Sequence, residues 1–135
     1  MVYPITEIQA IGADAAELLK SDGIRTTVRL LRMAKTPKQR LKIAERIGTD
    51  EKAVLCWVTA ADRMRIKGIG WEYSELLRAA GVKTVAELKF RNPRNLVQAM
   101  AAANTKRKLV RLLPSEKTVT RWIDDAKALP PIVRY

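Results

Sequence analysis

Leucines and isoleucines recur along this chain at the three- and four-residue spacing of a helix face, punctuated by glycine, threonine and proline. No stretch sustains the two-residue alternation of a half-buried strand, so an all-helical fold without a sheet is expected. Asp14 to Ser21 and Glu72 to Ala80 carry leucines at helical spacing and run into Gly23 and Gly81, the expected stop residues. Thr26 and Thr84 are placed to cap the next short helices, which hold Leu30 and Leu31, or Leu88. Thr36-Pro37 and Asn92-Pro93 each set a cap before a first-turn proline, opening helices that reach about Ile47 and Ala103. Thr49-Asp50-Glu51 and Ser115-Glu116 start the helices of Trp57 and Trp122, with acidic side chains in the first turn. The tail from Pro130 to Tyr135 reads as extended and able to pack back on the body.

These elements occur twice. Residues 8–30 align without a gap on residues 66–88, and nine pairs are identical, among them Ile8/Ile66, Gly12/Gly70, Leu19/Leu77, Gly23/Gly81 and Thr26/Thr84. The match resumes at Glu51/Glu116 and includes Trp57/Trp122 and Ala61/Ala126. A repeat of this length means one supersecondary unit stacked on its twin to complete a core. Within the unit the order is hydrophobic-x-Gly-hydrophobic-Gly, a helix, then Gly-hydrophobic-x-Thr, which reads as a helix-hairpin-helix. The expected fold is therefore all-α, two tandem helix-hairpin-helix repeats packed as one compact domain. Residues 1–63 form the first, degenerate repeat and residues 64–135 the second, basic one.

Composition narrows the chemistry. Cys56 is the single cysteine and histidine is absent, which excludes an intrachain disulfide, Cys/His zinc sites and histidine base catalysis. Cys56 sits beside Trp57 in an apolar stretch and reads as a buried small hydrophobe rather than a reactive thiol. The balance points away from an enzyme, and no cofactor or metal is expected. Asp124-Asp125 does not alter this, because adjacent helical carboxylates diverge by about 100° and do not converge on one ion. The net charge is +12, and it is lopsided: residues 61–135 hold sixteen basic side chains against seven acidic, residues 1–60 ten against seven. A basic surface attracts polyanions by counterion release, so the second half is the better nucleic-acid face; the alternative is a merely soluble basic protein. Nothing resembles a transmembrane span or a secretory leader, so a cytoplasmic protein with no membrane partner is expected.

The second hairpin, Ile66-Lys67-Gly68-Ile69-Gly70-Trp71, is the candidate site. Its glycines permit positive φ and close approach of another backbone, and the helix that follows points unpaired N–H groups at the loop. A phosphate fits there without a catalytic side chain. Ile69 would plug inward, and Lys67, with Arg63 and Arg65 upstream, would supply steering charge. The competing reading is a tight helix–helix turn without a ligand. Glu72 stabilises the helix N-terminus by a few tenths to about one kcal/mol and opposes an incoming phosphate. In the first copy Ala10 replaces the first glycine and Asp14 matches Glu72, so that hairpin reads as structural. Lys106-Arg107-Lys108 with Arg111 is the densest basic cluster, expected on an exposed loop or helix end, and flanking Lys89, Arg91 and Arg94 could extend it as one stripe. Such runs are often only solvated faces, and three adjacent residues cannot share one helix face. Any contact they make would be nonspecific, because phosphate contacts position a protein without reading bases. Trp57 and Trp122 stand at equivalent repeat positions and read as core. Trp71 has no counterpart, and stacking on a base, contact with a partner and cover for the repeat interface all stay open for it.

The residues from Ile66 to Tyr73, with Leu76-Leu77, Gly81-Val82-Lys83-Thr84, Leu88 and Trp122-Ile123, resemble those of a bacterial family catalogued as domain of unknown function 4332. The resemblance covers nearly the whole chain and implies tandem helix-hairpin-helix units without supplying an activity. A looser similarity to helix-hairpin-helix modules of DNA-repair and recombination proteins implies nonspecific duplex or single-strand binding. The expected function is non-enzymatic, sequence-nonspecific nucleic-acid binding, DNA ahead of RNA. Its site residues would be Arg65, Lys67, Gly68, Ile69, Gly70, Trp71, Lys106, Arg107, Lys108 and Arg111. The alternative is a protein-interaction adaptor whose recognition features are Trp71 and the tail. A monomer or weak homodimer suits either.

Overall fold

Side-chain caps set most of the helix starts. In the computed structural model, which describes residues 2–135, Thr26, Thr36, Asp50, Thr84, Asn92 and Ser115 each accept the N–H three residues on. At Thr36 the bond is reciprocal, because Gln39 returns its side chain to the Thr36 backbone and completes a capping box. Eight α-helices result among the described residues. They are α1 (Ala13–Ser21), α2 (Thr27–Met33), α3 (Pro37–Ile47), α4 (Glu51–Arg63), α5 (Trp71–Ala79), α6 (Val85–Lys89), α7 (Pro93–Lys106) and α8 (Glu116–Ala128). Two short 3-10 turns, Ile5–Glu7 and Gln9–Ile11, precede α1. The only extended pairing among the described residues is an isolated bridge between Pro4 and Thr26.

The expected stops hold at Gly23 and Gly81. Each follows its helix with φ of +83° and +95°, and the next N–H reaches back to Leu19 O or Leu77 O at 2.9 Å. Those bonds satisfy carbonyls that the helix end leaves open. Helix α7 runs three residues past the expected Ala103, so Lys106 is helical and Arg107 is its C-cap.

Packing repeats as the sequence does. In the first half α1 lies on α3, α2 on α4 and α3 on α4; in the second α5 lies on α7, α6 on α8 and α7 on α8. The buried apolar side chains form one cluster from Ile5 to Met64 and another from Ile66 to Ala126. Trp57 and Trp122 are buried in the first and second cluster respectively, as expected of core residues. Each fully buried aliphatic, such as Leu19 or Leu76, contributes about 1.5–3 kcal/mol.

Cys56 departs from expectation and is exposed. The buried stripe of α4 runs Val54, Trp57, Val58, Ala61, and a residue two places from Val54 lies about 200° away from it. Between Ala128 and the end, the chain crosses back to the first half as an extended strap. Arg65 donates two bonds to Pro130 O at 3.0 and 2.8 Å, the Arg134 N–H bonds Lys35 O at 2.8 Å, and Ile132 and Val133 pack on the first cluster. No helix among the described residues is long and apolar enough to cross a membrane.

Candidate functional site

The loop between α4 and α5 is tied by two tight turns, Ile66 N–H to Arg63 O at 3.3 Å and Ile69 N–H to Ile66 O at 3.1 Å. Both isoleucines are buried in the second cluster, which draws the loop onto α8. The two glycines then differ. Gly68 has φ of +92°, whereas Gly70 sits at φ −89°, ψ −167°, ordinary extended backbone for a helix N-cap. Of the two glycines that could take positive φ, only Gly68 does. The first copy inverts the pattern: Ala10 lies in a 3-10 turn and Gly12 takes φ of +81°. A Cβ at the first position bars the left-handed turn, so the excursion moves to the only glycine left.

Several side chains expected at the hairpin mouth face elsewhere. Arg63 is buried, donating to Ser74 Oγ at 2.9 Å, Ser74 O at 3.1 Å and Lys83 O at 2.7 Å. Burial lowers its guanidinium to about 10 against the attraction of Glu75. It ties α4 to α5 and supplies no steering charge. Arg65 is turned to the strap and to Asp62, its Nε lying 3.0 Å from Asp62 Oδ1. Burial holds the Asp62 carboxyl above its ordinary value although Arg65 and Arg63 both pull it down. Trp71 is half-buried against the first cluster, so it covers the seam between the halves. Ile69 offers only its carbonyl, which accepts the Tyr3 hydroxyl at 3.3 Å.

Lys67 and Gly68 remain exposed, and they meet the basic segment after α7 along one groove. Asn104 shapes that segment: its Oδ1 accepts the N–H groups of Leu109 at 2.9 Å and Val110 at 3.1 Å, and its Nδ2 donates to Val110 O at 3.1 Å. Tyr73 then pins it, donating to Leu112 O at 2.9 Å while its ring lies 5.3 Å from that of Trp122. Two adjoining hollows of about 900 and 700 Å³ share Tyr73, Leu112 and Leu113 as their common wall. Lys108 and Arg111 line the first, with Glu72; Lys67 and Arg121 line the second, with Asp125. Lys106 and Arg107 are exposed at the end of α7, outside both linings.

Sequence reasoning missed Arg121, Tyr73 and Asn104. Arg121 precedes the repeat tryptophan Trp122 by one place, and helical geometry puts it about 100° from the buried face, which was a readable signal. The Asn104 and Tyr73 contacts join residues 5 to 39 apart in sequence through an irregular loop, and no periodic pattern announces them. No group of three or more acidic or cysteine side chains able to hold a metal occurs among the described residues.

Comparison with curated proteins and with solved structures returned no match. A family model, described as Domain of unknown function (DUF4332), matches residues 9–129. That span holds both loops, all eight helices and every residue of the groove, and the chain belongs to this family.

Proposed function

We propose that this protein is a non-enzymatic, sequence-nonspecific nucleic-acid-binding protein of tandem helix-hairpin-helix type, favouring DNA over RNA. The groove shared by the second hairpin and the segment after α7 is its binding surface. One observation carries the reading: four exposed cations from three separate segments, Lys67, Lys108 with Arg111, and Arg121, line adjoining hollows against only Glu72 and Asp125. Such a row attracts a sugar-phosphate backbone without reading bases. Arg65, Trp71 and Ile69 support the fold instead.

The test separates local from global charge. Replacing Lys67, Lys108, Arg111 and Arg121 with glutamine is expected to weaken duplex binding at least about tenfold. Replacing the exposed Arg32, Lys38, Lys42 and Lys52 removes the same charge from the first half and is expected to cost about threefold or less. Equal losses would sink the groove as the binding face.

A second reading, a protein adaptor, draws on Leu112, which is 76% exposed at the middle of the groove. The features first expected to serve it, Trp71 and the tail, are packed against the body. A partner that co-purifies through nuclease and high salt, and is lost on Leu112→Ser, would favour it.

A further inference from the structure

Trp122 is 97% buried by its 3% exposure, yet no acceptor among the described residues takes its indole N–H. The nitrogen is not among the buried unpartnered atoms of the described residues, so its edge of the otherwise buried ring is open to solvent and free to donate. The indole nitrogen lies 3.4 Å from where a Cβ on Gly68 would stand. Gly68 lacks that atom and holds φ of +92°, so the edge of the ring bearing the donor is left uncovered beside the smaller hollow, which both residues line. Lys67 and Arg121 flank the same hollow, Thr118 contributes a hydroxyl, and Asp125 is its one carboxylate.

From this we infer that the hollow beside Gly68 is a subsite for a single phosphodiester, with the Trp122 indole N–H as its fixed donor. Two cations against one carboxylate leave one net positive charge, which matches the one negative charge of a backbone phosphodiester. The donor cannot accept and is held by packing, so it offers an oxygen a preset bond at little ordering cost, while Lys67 and Arg121 supply the preference for an anion. The first copy lacks each part. Ala10 stands where Gly68 does, and the hollow beside that loop is lined by neither a cation nor Trp57. This assignment rests on the groove reading for the polymer that supplies the phosphodiester, but the donor geometry stands independently of it.

The indole N–H resonances of the three tryptophans report directly. Titration with a thymidine oligonucleotide is expected to move the Trp122 signal progressively to saturation and to leave Trp57 in place. Trp122→Phe assigns the signal; if that variant fails to fold, the double variant Lys67→Gln/Arg121→Gln carries the test. It keeps Trp122 buried and should need about tenfold more oligonucleotide for half-saturation. Oligonucleotide binding by anisotropy with an unmoved Trp122 signal overturns the subsite and leaves the groove standing. Movement with inorganic phosphate but no oligonucleotide binding keeps the anion site and overturns the groove. No response to either probe overturns both.

Discussion

Two arginines carry their charge into the core because oxygen atoms meet them there. Arg40 spends its guanidinium on Ala34 O, Lys35 O, Arg134 O and Glu51, while Arg63 spends its own on Ser74 and Lys83 O. Asp62 is less well served, and burial outweighs the attraction of its two arginine neighbours. A carboxyl raised from its ordinary 3.8 binds its proton more tightly in the folded than in the unfolded chain. Its contribution is therefore fully present below 3.8 and is lost as pH rises through the raised value. Urea midpoints of the wild type and Asp62→Asn should thus shift relative to each other, the variant gaining ground as pH rises above 3.8 and through the raised value. A gap that moves toward the wild type over that range would show that the Arg65 pairing dominates instead.

At the scale of elements, the loop before α5 makes a sharper claim about its two glycines. Gly68→Ser forces a side chain into the left-handed region and is expected to cost about 1–2 kcal/mol. Gly70→Ser places a good N-cap in extended backbone, where the nearest atom to a Cβ is Tyr3 Oη at 4.0 Å, and should be neutral or slightly stabilising. Thermal unfolding of the two variants checks the contrast, and equal losses would contradict the loop geometry. The helix boundaries were legible in sequence because caps and stops are local chemistry: Thr26, Thr84 and the proline-first helices act within four residues. The difference between Gly68 and Gly70 was not, because φ there depends on how Ile66 and Ile69 are pulled into a core made by distant helices. The exposure of Cys56 is legible in the phase of α4, which its apolar neighbours in sequence obscure. The burial of Arg63 was unreadable, since its acceptors Ser74 and Lys83 lie on later elements. The groove was legible only in part: Lys67, Lys108 and Arg111 stand out in sequence as candidate charges, but that they meet along one surface depends on Tyr73, which ties their segments together.

For the whole molecule, duplication and charge combine. The two halves repeat one packing order, but only the second joins an uncovered hairpin to a basic segment, and it holds most of the excess positive charge. The strap from Pro130 onward and Trp71 bind the halves together, so the features that looked like recognition elements serve cohesion. The central claim is that the groove holds a polyanion by its phosphates, and the salt dependence of binding tests it most directly. Anisotropy titrations of duplexes of unrelated sequence across a salt series should give one common line of log affinity against log salt. With about four cations engaged its slope should be about −3.6. A slope near zero, affinities that differ strongly between sequences, or no binding at low salt would contradict it.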